Sequence, residues 1–195
     1  CLVLKHDDSI CQAATKFNYH DEIKYLILNK ARNKFIKNLA ISLEGNTLLL
    51  YQYVEQHGQI LYDMILYDLP KDKKVHFIHG KTSVEIREKI RAIVNSSIGN
   101  IIVASFGTTS TGVNIPNLHN LIFASPSKAR VRNLQSLGRA LRMNPNKNTA
   151  VLYDIADDLR YKKKENFTIK HFTIRLKLYV SESFDYKIYQ IKLKD

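Results

Sequence analysis

Cysteine is scarce: the 195 residues hold only Cys1 and Cys11. Neither belongs to a Cys-x-x-Cys pair or a Cys/His cluster. That spacing argues against a disulfide scaffold and a zinc-ligand set, and it makes a reducing, cytoplasmic compartment the expectation. Long apolar runs are also lacking. Aliphatic stretches such as Ile101–Ala104 extend for only a few residues, whereas a transmembrane helix needs roughly 18 or more. No basic segment leads into an apolar one as a signal peptide would. The chain opens on Cys1 rather than Met, and is read as a fragment. Repeats and Gly/Ser-rich linkers are missing. Hydrophobic residues at 45% and charged residues at 25% set aside a disordered or collagen-like chain.

Acidic residues are outnumbered. Lys plus Arg total 30 against 18 Asp plus Glu, a net charge of +12. The excess is uneven: residues 1–45 carry +2, residues 46–159 carry +4, and residues 160–195 carry +6. Such an excess points toward a polyanion, namely nucleic acid, nucleotide or an acidic membrane. A solvated basic tail is the plainer explanation of the last segment.

Along the chain, residues 1–18 show no clear period and are read as a join to something upstream. From Asp21, apolar residues at Ile23, Leu26, Ile27, Phe35, Leu39 and Ile41 predict a helix that Gly45-Asn46 ends. Short apolar runs then alternate with helical patterns. Strands are predicted at Thr47–Tyr51, Val75–Ile78, Ile101–Ala104, Leu121–Ala124 and Ala150–Tyr153. Ile60–Leu69 reads as an amphipathic segment stopped by Pro70. Thr82 and Glu85 suggest a capping box opening a helix through Val94. Pro126-Ser127 suggests another helix through Leu141. This alternation implies right-handed crossovers and a parallel sheet covered on both faces. Phe172, Leu176, Tyr179 and Val180 share a helical face, and Tyr189, Ile191 and Leu193 alternate as a strand does. A helix and an edge strand are therefore expected beyond the α/β core.

Several familiar motifs are absent. Gly80-Lys81-Thr82 resembles the end of a phosphate-binding loop, but Val75 stands where that loop needs glycine, so a strand-to-helix turn is expected. Asp21-Glu22 does not follow a hydrophobic strand and reads as acidic residues in a helix's first turn. Asp154, Asp157 and Asp158 follow a strand; they are expected to cap a helix or pair with arginines rather than bind a metal. No His spacing typical of a metal site, no GxSxG elbow and no GxGxxG fingerprint is present. A small-molecule enzyme on a doubly wound sheet therefore has little support.

Two segments carry chemistry. In Leu134–Met143, Gln135, Arg139 and Arg142 are spaced to share one helix face. Gly138 leaves that face open. Two guanidinium forks and an amide aimed together suit triphosphate oxygens, and an arginine against a γ-phosphate stabilises transition-state charge. A solvated basic face with ordinary salt bridges is the competing reading. In Ile101–Pro116 a buried strand runs into Ser105, Gly107, Thr108, Thr109, Ser110, Thr111 and Gly112. Ligands bind beyond the carboxyl ends of parallel strands, where hydroxyls and free N–H groups suit phosphate or sugar. A polar surface loop is the alternative.

In their order and spacing these segments resemble the superfamily-two helicases. VASFGTTSTGVNIP is similar to motif V and QSLGRALR to motif VI. NTLLLYQYVEQHG resembles motif IV, and VHFIHGKTS the strand after it. Together they resemble the C-terminal, second RecA-like domain of such a helicase. The flanks DEIKYLILNKARNKFIKNLA and HFTIRLKLYVSESFDYKIYQIKL resemble UvsW-type phage recombination helicases.

The resemblance implies a RecA-like parallel sheet flanked by helices. Its implied parts are an N-terminal linker and helix over 1–45, the RecA-like domain over 46–159 and a basic helix-and-strand appendage over 160–195. It implies ATP with magnesium as cofactor, held mainly by an upstream RecA-like domain of the same polypeptide. Arg139 and Arg142 would meet the γ-phosphate, with Gln135 positioning phosphate or water. Gly112, Asn114 and Gly138 would lie by the nucleotide. Ser105, Thr109 and Ser110, with Gln52, His79, Gly80 and Lys81, would face the nucleic acid backbone. The implied partner is DNA, single-stranded and branched, in the host cytoplasm and away from membranes. Asn114 departs from the usual Asp of motif V, and neither a Walker A loop nor a DExx box is present. The fragment alone is therefore expected not to hydrolyse ATP. The rival expectation is a nucleic-acid-binding module that keeps the fold without ATP coupling.

Overall fold

The computed structural model describes residues 1–110, 117–125 and 150–193. The chain opens with β1 (Leu2–Lys5), α1 (Asp8–Ala14), α2 (Tyr19–Leu28) and α3 (Lys30–Ser42). β2 (Thr47–Tyr51) follows, then a π-helical turn, Val54–Gly58, that runs into α4 (Gln59–Tyr67). β3 (Lys74–Ile78), α5 (Val84–Ser96), β4 (Asn100–Ser105) and α6 (Phe106–Ser110) come next. The remaining described elements are β5 (Asn120–Phe123), β6 (Val151–Asp158), α7 (Phe167–Ser181) and β7 (Tyr189–Lys192). The predicted helix from Pro126 lies outside the described residues.

The seven strands form one sheet in the order β3-β4-β2-β5-β6-β1-β7. Every neighbouring pair is parallel. All strands therefore end at the same edge. Successive side chains of a strand point to opposite faces, and both faces are covered. On one, Leu48, Leu50, Ile102, Leu121 and Phe123 pack with Val94 of α5 and Tyr179 of α7. On the other, Leu49, Tyr51, Val103 and Ile122 pack with Ile36 of α3 and Leu61 and Ile65 of α4. Burial on both sides explains why β2 and β4 read as continuous apolar runs. Truncating one such fully buried side chain, as in Leu49→Ala, costs about 2–5 kcal/mol.

The first eighteen residues differ from expectation. They contain β1, which sits inside the sheet between β6 and β7, and α1. The predicted helix from Asp21 is two helices. Asn29 breaks it with extended backbone (φ −66°, ψ 115°), and its side chain accepts the Arg32 N–H at 2.8 Å to cap α3. Asn18 and Asp21 form a reciprocal capping box on α2. Gly45 does punctuate the chain: its φ is +74°, and a Cβ there would lie 2.6 Å from the His119 ring. The cap of α5 is Ser83, whose hydroxyl accepts the Ile86 N–H at 3.3 Å. Thr82 instead accepts the His79 N–H at 3.0 Å, tightening the turn before the helix.

The C-terminal helix is tied to the core by buried charges. Glu22 of α2 is buried and accepts N–H groups from Phe167 and Thr168, so it caps α7 from across the fold. Arg175 of α7 pairs with Asp154 of β6 at 2.7 and 2.9 Å, and the Tyr179 hydroxyl donates to the same carboxylate. Burial, and next the Asp154 charge, push the Tyr179 phenol well above its usual range. β7 then closes one sheet edge beside β1.

Candidate functional site

Three neighbouring strands, β3, β4 and β2, deliver the described sequence-marked residues to one sheet edge, and β5 lies beside β2. β3 ends in His79-Gly80-Lys81. Gly80 and Lys81 are exposed, and space around Gly80 is open enough that an added Cβ would meet nothing within 4 Å. Arg87 of α5 folds back to donate to the Gly80 carbonyl at 3.2 Å. His79 Nδ1 accepts the Lys81 N–H at 3.3 Å. The turn is thereby held while its outer side faces solvent.

β4 ends at Ser105, which is buried rather than exposed. Its hydroxyl lies 3.2 Å from the Thr108 hydroxyl, which donates to the Ser105 carbonyl at 2.7 Å. These bonds start α6. Ser105 therefore shapes this turn from within, and Thr108 is its partner there. The backbones of Thr109 and Ser110 complete α6, with side chains outside the described residues. β2 ends at the exposed Gln52, whose N–H donates to the Ser125 hydroxyl at 3.1 Å. Gly112, Asn114, Gln135, Gly138, Arg139 and Arg142 also lie outside the described residues.

A buried polar layer underlies this edge, and most of it escaped the sequence reading. Arg32 of α3 is wholly buried. Its Nε meets both carboxylate oxygens of Asp157 at 2.9 and 3.0 Å, and its Nη2 donates to the Ala124 carbonyl at 2.8 Å. His6 Nε2 lies 3.1 Å from Asp157, and its Nδ1 lies 3.0 Å from the Tyr25 hydroxyl. Burial alone would raise the Asp157 carboxyl. The Arg32 charge and the His6 hydrogen bond outweigh it and hold the group well below the usual carboxylate range. Asp158 is likewise held low despite its burial, by hydrogen bonds from Arg160 and Lys5. The three aspartates of β6 are thus taken up by cations, as the arginine-pairing expectation had it. Among the described residues no group of three His, Cys, Asp or Glu gathers as a metal site.

His57, in the π-helical turn, is also fully buried. Its Nδ1 lies 3.1 Å from the Ser125 hydroxyl and its Nε2 lies 3.2 Å from Asn33 Oδ1. Burial, helped by the nearby Arg32 charge, lowers its pKa to about 3, so the ring is neutral. The π geometry places it there. Both the His57 and Gly58 N–H groups bond to the Tyr53 carbonyl, and Gly58 packs so closely that a Cβ would lie 2.4 Å from the Tyr51 ring.

A seven-stranded parallel sheet with helices on both faces and polar loops at its strand ends defines a class, the RecA-like domains. Residues 30–144 match the profile of the "Helicase conserved C-terminal domain", and the chain belongs to that family. It is 30% identical to the ATP-dependent DNA helicase UvsW of Enterobacteria phage T4, over 98% of this chain and 40% of that protein. It is 33% identical to putative helicase 22 of a Sulfolobus islandicus filamentous virus, over 47% of this chain and 17% of that protein. The crystal structure of T4 UvsW superimposes with a TM-score of 0.85 at 29% identity, covering 99% of this chain and 41% of that one. The E. coli DEAD-box protein SrmB shares the fold with a TM-score of 0.57 at 10% identity, over 97% and 88% of the two chains. The chain thus spans about two fifths of the length of T4 UvsW. No helix among the described residues is long and apolar enough to cross a membrane.

Proposed function

We propose that this chain is the second motor domain of an ATP-dependent DNA helicase or translocase that acts on branched DNA during recombination and replication-fork repair. The observation that carries the reading is the shared edge. Parallel strands bring Gln52, the Ser105–Thr108 turn and His79-Gly80-Lys81 side by side, next to the strand that leads toward Gln135, Arg139 and Arg142. The likeness to UvsW over nearly the whole chain supports DNA as the substrate.

In this reading exposed groups at the ends of β2 and β3 grip the DNA backbone without reading sequence. The donor set Gln135, Arg139 and Arg142 fits a triphosphate: two planar cationic forks and an amide, all donors to phosphate oxygens. When bound, ATP with magnesium supplies the anhydride bond whose cleavage drives the cycle; both are held mainly by an upstream RecA-like domain. Arg139 and Arg142 would meet the γ-phosphate and offset its charge, and Gln135 would help position phosphate or the attacking water. Gly112 and Asn114 would lie near the nucleotide at the domain interface, and Gly138 would leave room for close approach. The chain alone, lacking a Walker A loop and a DExx box, does not hydrolyse ATP. The basic segment 160–195 adds affinity for DNA that falls steeply with salt. The site of action is the cytoplasm of the host cell.

The test is DNA-stimulated ATP hydrolysis by the full parent protein, wild type beside Arg142→Ala, with DNA binding measured for both. Loss of hydrolysis by about a thousandfold or more with binding retained is expected of an arginine finger. Equal hydrolysis in the two proteins refutes that role. Intact binding with no hydrolysis in either favours a passive nucleic-acid-binding module.

A further inference from the structure

The exit of β5 is held by two consecutive residues of α3. Arg32 holds Ala124 directly, through the 2.8 Å bond from Nη2 to the Ala124 carbonyl. Asn33 holds Ser125 through His57. The hydrogens in this second chain can be assigned from one end to the other. Asn33 Nδ2 donates to the Ile27 carbonyl at 2.8 Å, which leaves Asn33 Oδ1 as an acceptor. His57 Nε2 must then carry the proton, since the imidazole is neutral, and Nδ1 accepts from the Ser125 hydroxyl. The Ser125 oxygen in turn accepts the Gln52 N–H. Every link has one donor and one acceptor, so a single arrangement satisfies them all.

This layer is an expensive way to obtain stability. A buried ion pair such as Arg32–Asp157 is often no better than packed apolar side chains of the same volume. Moreover, Arg32 Nη1 is buried with no hydrogen-bond acceptor among the described residues. Directional polar bonds do supply something apolar packing does not, a fixed position for the backbone they hold. Here that backbone is Ala124 and Ser125, both buried, and the next residue begins the stretch that contains Gln135, Arg139 and Arg142.

We propose that Arg32, Asn33, His57 and Ser125 are positioning residues: they fix the direction in which the chain leaves β5 and so set the placement of Arg142 in the ATP site. The proposal rests on the arginine-finger reading above. It adds that α3, outside the strands that carry the helicase motifs, takes part in the chemistry through Ala124 and Ser125 without touching the nucleotide.

The experiment uses the full parent protein and reads kcat and KM for ATP in saturating DNA, with DNA affinity and melting temperature measured alongside. The variants are Ser125→Ala, Arg142→Lys and the two combined. Ser125→Ala is expected to lower kcat about tenfold, because small misplacement of a reacting group is costly, while KM and DNA affinity stay within about twofold. In the Arg142→Lys background the same change is expected to cost less than about twofold, because the fork it would place is already gone. A Ser125→Ala kcat within twofold of wild type overturns the proposal. So does an undiminished tenfold loss in the Arg142→Lys background, which marks Ser125 as structural only. Full activity in Arg142→Lys and in Arg142→Ala defeats the arginine-finger reading first and the proposal with it, whereas a large loss there with no effect at Ser125 defeats the proposal alone. Should Ser125→Ala fail to fold, Asn33→Ala cuts the chain one link further out. It is then expected to show the same pattern at about threefold, and a kcat unchanged from wild type refutes it.

Discussion

Glu22 is the most exposed point of this architecture to a single substitution, although it is itself almost wholly buried. Its Oε1 accepts the Thr168 N–H at 2.7 Å and the Asn166 side-chain amide at 2.9 Å, and its Oε2 accepts the Phe167 N–H at 2.9 Å. The carboxylate therefore satisfies the first donors of α7 and faces the positive end of that helix's dipole. Glu22→Ala removes all three bonds and leaves buried donors unpaired. Each hydrogen bond to a charged group contributes about 1.5–3 kcal/mol, and the three overlap, so a loss of about 3–4 kcal/mol is expected. Glu22→Gln keeps one oxygen but turns an NH2 group toward a backbone N–H, for a loss of about 2 kcal/mol. At about 2–4 °C per kcal/mol for a domain of this size, the alanine variant melts roughly 6–16 °C lower. Urea unfolding of the 195-residue chain, with m-values compared between variants, measures the loss directly. A cost below about 1 kcal/mol for Glu22→Ala, with m unchanged, would refute the claim that Glu22 anchors α7.

His57 gives a pH signature. Its native pKa near 3 lies below the ordinary value of 6.5, so the unfolded chain binds a proton that the folded chain does not. Stability then falls as pH drops from 6.5 toward 3, by at most about 1.4 kcal/mol per unit. Asp157, itself held low, adds a loss only below the ordinary aspartate range, near pH ~4. Unfolding curves of His57→Gln between pH 6.5 and 4.5 should be flatter than those of wild type; an identical slope contradicts the neutral ring. Gly58→Ala tests the π-helical turn. A Cβ 2.4 Å from the Tyr51 ring must displace a fully buried side chain, at about 1–3 kcal/mol, and a variant as stable as wild type shows that the ring yields freely. Asp154→Asn should lower the melting temperature more than the double change Asp154→Leu with Arg175→Leu, because breaking a buried pair costs more than replacing it; the reverse order in thermal unfolding would count against this.

Periodicity and motif order carried the reading of the sheet a long way. β2, β4 and β5 were visible because burial on both faces makes them nearly pure apolar runs, and α4 was visible because Pro70 stops it. β1 was not visible. Leu2–Lys5 is too short to show alternation, and what makes it a strand is the slot between β6 and β7, which local sequence does not encode. Apolar spacing continues through the break at Asn29, and its local signal is an Asn three residues before the N–H it caps. Thr82 and Ser83 are adjacent hydroxyls, and only geometry decides which one caps α5. The layer beneath the strand ends was the least legible part. Arg32 and Asp157 are 125 positions apart, and nothing in either neighbourhood announces the other. Motif resemblance marked Ser105 for contact with the nucleic acid backbone, whereas the structure buries its side chain against Thr108.

The place of β1 has a consequence for how this chain is made. Val3 and Leu4 are buried in the finished sheet, yet both strands that flank them come from the far end of the chain, at Val151–Asp158 and Tyr189–Lys192. At roughly 5–20 residues per second, a ribosome needs on the order of ten to thirty seconds to supply those partners. Through that interval β1 lacks both of its neighbours in the sheet. The middle of the sheet, β2 to β5, has all its strands much earlier. Synthesis therefore favours an order in which the centre of the sheet forms first and β1 is among its last strands to join.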